Sequence, residues 1–148
     1  MICNLFVFRH AETTDNANAI FSGWRDPDLT QKGVKQAQAV AEQLKQEKID
    51  IAFTSHLKRA RRTLNIVLEE HPEVPVFVDD RLIERCYGLL QGESKTKLAK
   101  ERPECRPVDK PNIFAVDHLV NLVSTNWLST FLLSTIWLST ILHVDQSS

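Results

Sequence analysis

Leu5-Phe6-Val7-Phe8-Arg9-His10-Ala11-Glu12-Thr13 decides the fold. Four apolar, β-prone residues stop abruptly at polar ones, the pattern of a strand buried on both faces. The C-terminal end of that strand delivers a guanidinium and an imidazole. Open α/β sheets place their reactive groups at this end of the strands. Taken singly, an Arg-His-x-Glu match is four residues that recur by chance, so the flanking sequence must decide.

Working outward, Ala11 to Asp28 is polar and turn-rich, with Ser22-Gly23 and Asp26-Pro27-Asp28 as turn signals. Thr30 has the chemistry of an N-cap, and Val34, Ala37, Ala41 and Leu44 follow at helical spacing. Ile49 to Thr54 reads as a second strand. Ser55 and a second helix follow, with an apolar stripe of Ala60, Leu64, Val67 and Leu68. Pro75 to Val78 reads as a third strand, Arg81 to Gly92 as an irregular connection, and Ser94 to Glu101 as a short helix. Strands alternating with helices predict an α/β fold with a parallel sheet flanked by helices.

The chain has 148 residues, of which 43% are hydrophobic and 25% charged, and a net charge of −1. That length holds one domain, and that composition excludes wholesale disorder and a polytopic membrane protein. A near-neutral molecule offers no general attraction to nucleic acid, so an anion must be held by local positive groups. Lys58-Arg59-Ala60-Arg61-Arg62 could be a nucleic-acid patch, but on a helix these side chains fan around the axis and most of them stay solvated. Cys3, Cys86 and Cys105 form neither a disulfide framework nor a zinc pattern, which fits a reducing, cytoplasmic setting. Ile2 to Phe8 has no basic segment before it and makes a poor signal peptide.

Charge is unevenly spread. Residues 1–110 hold all 18 Lys and Arg, whereas residues 111–148 hold only Asp117 and Asp145. The prolines at 103, 107 and 111 punctuate a linker over 105–118. Residues 119–142 then run without a charge. This run is long enough to span a bilayer. It is also a tandem repeat: VSTNWLSTFL (123–132) and LSTIWLSTIL (133–142) agree at seven of ten positions. The five-residue Ser-Thr period matches neither helix nor strand. A membrane anchor, an element packed on the domain and an aberrant low-complexity terminus are the three readings of the 119–148 tail.

The ordered set Arg9-His10-Ala11-Glu12, Asn16, Phe21-Ser22-Gly23-Trp24, Asp28-Leu29-Thr30, Phe53-Thr54-Ser55, Lys58-Arg59-Ala60, Glu84-Arg85-x-Tyr87-Gly88 and Lys95 resembles the histidine phosphatase superfamily. The similarity is to its 2,3-bisphosphoglycerate-dependent phosphoglycerate mutase branch and covers about residues 3–104, so that 1–104 corresponds to the N-terminal part of such a domain. The resemblance implies an isomerase of glycolysis and gluconeogenesis. It would interconvert 3-phosphoglycerate and 2-phosphoglycerate through phospho-His10, primed by 2,3-bisphosphoglycerate, without a metal. It makes Glu84 the general acid/base and Arg9, Arg59 and Asn16 the phosphate donors. Ser22, Gly23, Arg85, Tyr87 and Lys95 would hold the substrate's carboxylate and phosphate. The physical chemistry agrees, since a neutral imidazole can attack phosphorus and guanidinium forks meet phosphoryl charge. A carboxyl raised by burial can move a proton at neutral pH.

Two departures qualify the resemblance. Ala11 stands where the signature has glycine, which asks for ordinary backbone angles there. The family's second catalytic His, in a His-Gly setting, has no counterpart, because Leu119 follows His118 and Val144 follows His143. The strand carrying that His lies between the first two strands of the family sheet, so the expected fold is truncated. Either the apolar tail fills the gap or the fold is marginal. A phosphatase of the same superfamily, and a non-catalytic fragment acting through its tail, remain as the other functional readings. The expected partner is a small phosphorylated molecule rather than nucleic acid, with a membrane open only through 119–142.

Overall fold

In the computed structural model of the chain, which describes residues 3–102 and 140–145, Cys3–Phe8 forms β1, followed by the short helix α1 (Thr14–Ala17). Helix α2 (Gln31–Leu44), strand β2 (Ile51–Thr54), helix α3 (Lys58–Val67) and strand β3 (Val76–Val78) come next. Two 3₁₀ turns at Asp80–Leu82 and Gly88–Leu90 lead to α4 (Lys95–Glu101), and Thr140–Asp145 forms β4.

Local chemistry fixes the helix starts. The Thr30 hydroxyl accepts from Gly33 N at 2.9 Å and caps α2, and Ser94 caps α4 in the same way through Lys97 N. The predicted stripes are the packed faces. Ala37 and Leu44 on α2, and Ala60, Leu64 and Val67 on α3, are buried, with Leu68 just beyond. Phe6, Leu44, Ile49, Ala52, Leu64 and Val67 form the main core. Gly33 lies so close to the loop after β1 that a Cβ there would sit 2.1 Å from the Glu12 carbonyl oxygen.

The sheet order is β1-β4-β2-β3. β2 and β3 pair in parallel, and β1 runs in their sense, as the α/β reading predicts. Between β1 and β2, β4 runs antiparallel to both, with Leu142 opposite Phe6 on one side and Ala52 on the other. The segment therefore occupies the gap that the sequence left open. Of the apolar run 119–142, residues 140–142 lie in β4. Residues 119–139, the 105–118 linker with His118, and Cys105 fall outside the described residues.

Two expectations change. β1 is not buried on both faces: Phe6 is buried, while Leu5, Val7 and Phe8 are half-buried, because α2 and α3 cover the face of Phe6 and Ala52. The loop from Ala11 to Asp28 contains α1, whose start is a capping box between Thr13 and Asn16. Among the described residues no helix is long and apolar enough to cross a membrane.

Candidate active site

β1 ends at Phe8, so Arg9 and His10 enter the loop at the C-terminal edge of the sheet, where β2 also ends and α3 begins. His10 is buried, and its Nδ1 lies 2.8 Å from the Ala11 carbonyl oxygen. A carbonyl only accepts, so Nδ1 carries the proton and Nε2 keeps its lone pair. Burial, then the charges of Arg9 and Arg59, pull the imidazole down to about 3, so the ring is neutral at physiological pH. Ala11 tolerates the place of a glycine: its φ is not positive, and its N–H donates to Thr63 Oγ1 at 3.0 Å, tying the loop to α3.

Arg59 is almost fully buried at 1% exposure. Its Nη1 donates to the Arg25 carbonyl at 2.6 Å and its Nη2 to the Gly23 carbonyl at 2.8 Å. Gly23 has φ +52°, and a Cβ there would fall 2.2 Å from Gln91 Oε1, so this clamp needs glycine. Arg9 Nη2 lies 3.8 Å from Glu84 Oε2. The Nε atoms of Arg9 and Arg59 and the Ser55 hydroxyl are buried with no partner among the described residues. Such donors are costly when left unmet and suit an oxyanion.

Glu84 is pushed above its ordinary value by burial, against the opposing fields of Arg9, Arg59, Arg85 and Lys95. Its carboxyl pairs with Arg9 rather than Arg81, which bonds Asp79. Lys95 is pushed down by burial first and then by Arg9. Arg85 sits 5.0 Å above the Tyr87 ring. Asn16 accepts from Thr13 N and from the Thr13 hydroxyl through Oδ1, which leaves its NH₂ to donate elsewhere. Ser22 adjoins the Arg59 clamp, its carbonyl accepting from Arg25 N. Phe21, Arg85, Tyr87, Leu90, Leu98 and Arg102 line a neighbouring cavity of about 520 Å³.

The structure thus gathers Arg9, His10, Arg59 and Glu84, with Arg85 and Lys95 acting on the same carboxyl. Sequence reasoning missed the supports. Asp26, read as a turn residue, accepts from Lys58 N at 2.7 Å and Arg59 N at 3.2 Å and caps α3 from outside the helix. Gln91 and Trp24 bind the two loops together: Gln91 Oε1 accepts from Trp24 N at 2.6 Å, and Trp24 Nε1 donates to the Glu84 carbonyl at 2.7 Å. The remaining described histidine side chains are structural: His71 bonds the Leu44 carbonyl, and exposed His56 pairs with Asp80. His143 lies within β4, its backbone opposite Leu5 and Ile51. Cys86 is a free, exposed thiol. No group of three acidic, His or Cys residues among the described ones is placed to hold a metal.

A neutral imidazole whose Nε2 keeps its lone pair, flanked by two guanidiniums at a strand end, points to a class: the chain belongs to the histidine phosphatase superfamily (branch 1), whose family model matches residues 5–111. Among curated proteins it is 45% identical, over 95 residues, to the 2,3-bisphosphoglycerate-dependent phosphoglycerate mutase of Methylobacterium sp. (strain 4-46), covering 62% of this chain and 46% of that protein. Solved structures similar to it include phosphoglycerate mutase from Bacillus anthracis, with TM-score 0.60 and 28% identity over 66% of this chain and 46% of that one. A mycobacterial glucosyl-3-phosphoglycerate phosphatase is also similar, with TM-score 0.62 and 30% identity over 72% and 50%. The chain spans about half the length of the curated relatives it matches.

Proposed function

We propose that the chain is a phosphoglycerate mutase-type enzyme that carries a phosphoryl group on His10. The observation behind this is the orientation of the buried imidazole, whose Nδ1–H is fixed by the Ala11 carbonyl, so that Nε2 keeps its lone pair. The residues fit 2,3-bisphosphoglycerate as primer, because four cations, Arg9, Arg59, Arg85 and Lys95, act on one carboxyl and the buried Nε–H groups of Arg9 and Arg59 have no partner among the described residues. When bound, that molecule supplies the phosphoryl group.

His10 Nε2 forms the bond to phosphorus while the ester P–O bond breaks, and the departing oxygen takes the proton held on Glu84. In the return step the Glu84 carboxylate accepts the proton of the attacking hydroxyl of a phosphoglycerate. Arg9 and Arg59 stabilise the equatorial oxygens, with the Asn16 amide as a further donor. Ser22, Gly23, Arg85, Tyr87 and Lys95 hold the carboxylate and second phosphate of the substrate.

The test is incubation with labelled 2,3-bisphosphoglycerate. We expect acid-labile label on the native chain, discharged by 3-phosphoglycerate and absent from His10→Asn. An unlabelled native chain, or label that persists in His10→Asn, refutes the reading. A second reading, phosphomonoester hydrolysis, draws on the likeness to the glucosyl-3-phosphoglycerate phosphatase. Label lost chiefly as inorganic phosphate would favour it.

A further inference from the structure

Four side chains beside the site form a continuous stack. Lys95 Nζ lies 5.5 Å from the Phe21 ring centroid, Phe21 lies 5.1 Å from Tyr87 at 54°, and the Arg85 guanidinium lies 5.0 Å above Tyr87. A cation over a ring face is held by the ring's quadrupole, most strongly where water is excluded, and tilted aromatic pairs attract each other. Phe21 is buried, and its backbone cannot slide. Its N–H donates to the Glu93 carbonyl at 3.0 Å, its carbonyl accepts from Gly92 N at 2.9 Å, and Lys95 N donates to the Ala19 carbonyl at 2.8 Å. Both end cations act on the Glu84 carboxyl.

From this geometry we propose that Phe21 is a positioning residue: with Tyr87 it forms a two-ring spacer that holds the Lys95 and Arg85 cations at its two ends and presents both to the anionic groups of the substrate. Like charges left to themselves would move apart or turn to solvent. The rings supply a fixed attractive seat for each, so the site does not have to order two long side chains when the anion arrives. The proposal rests on the phosphoglycerate reading for its substrate, but the stack itself does not. The charged groups facing Lys95 are Arg9, Glu84 and Asp15.

Phe21→Leu is the direct variant, and a series of mono-, di- and trifluorophenylalanine at position 21 keeps the ring's shape while draining its face of electron density. Three quantities are measured on the full chain: the titration of the Lys95 ammonium by NMR, the affinity for inorganic phosphate and 3-phosphoglycerate, and His10 labelling. The expected result is a stepwise fall of the Lys95 titration midpoint and a stepwise loss of affinity, about tenfold by the trifluoro ring. KM should rise and kcat change little, with Phe21→Tyr restoring wild-type behaviour. A flat Lys95 titration and flat affinities across the series overturn the proposal, whatever the labelling shows. If both fall stepwise while the native chain takes no label, the spacer stands and the mutase reading fails.

Discussion

His10 and Glu84 are shifted in opposite senses by the same cause. Burial disfavours the charged form of each, so the imidazole loses its proton readily and the carboxyl holds its proton to a higher pH than an ordinary one. Both shifts run in the sense that the proposed nucleophile and proton donor require, and both arise from the fold itself. The first prediction concerns pH. His10 has a folded value of about 3 against 6.5 unfolded, so between these limits the unfolded chain binds more protons. Its contribution to stability is therefore present above pH 6.5 and lost as pH falls towards 3. Urea melts across this window should show stability falling on acidification with a slope approaching about one proton, and His10→Gln should remove that component. For the same reason the labelling rate of the native chain should show no acid limb at pH 6.5. A limb there would mean that the ring is solvated and ordinary.

The elements explain how those residues are held. Helix α3 carries Arg59, yet its N-cap, Leu57, offers no side-chain hydrogen bond. Asp26 does the capping from the loop that also supplies the Gly23 and Arg25 carbonyls to the guanidinium. Asp26→Ala should cost about 1 kcal/mol, as loss of a cap does, and should slow His10 labelling because Arg59 loses its register. Asp26→Asn keeps an acceptor and should recover most of both, as followed by urea midpoints and single-turnover labelling. Sequence legibility divides along this line. Thr30 and the stripes of α2 and α3 were readable because a cap or a helical face is specified within a few residues. Asp26, Gln91 and Trp24 were not, since each acts on a partner more than 30 residues away that no local pattern announces. That Arg9, His10, Arg59 and Glu84 lie close together was legible only because the motif order stands in for that distance. The antiparallel sense of β4 was hidden as well: the residues of a strand do not encode its direction, which depends on the route of the preceding chain.

At the scale of the whole molecule, β1 has a single neighbour in the sheet among the described residues, β4, through which it is joined to β2. The strand that leads into Arg9 and His10 is thus tied to the sheet by residues 140–145. A chain ended at residue 139 should leave the facing edges of β1 and β2 without ladder partners, and several unmet buried backbone groups at about 1 to 3 kcal/mol each are comparable to a typical folding margin. We expect rapid amide exchange throughout β1, a broadened thermal transition and loss of His10 labelling. A single sharp melt at an unchanged temperature would show that the sheet does not depend on β4.

Such an arrangement has a temporal cost. On the ribosome, β1 emerges first and β4 only after the rest of the sheet, 140 − 8 = 132 residues later. Contacts so distant in the chain close slowly and leave apolar edges uncovered meanwhile. Until the segment that docks the first strand has been made, the facing edges of β1 and β2 stay open to other strands, and His10 at the end of β1 lacks the sheet that positions it.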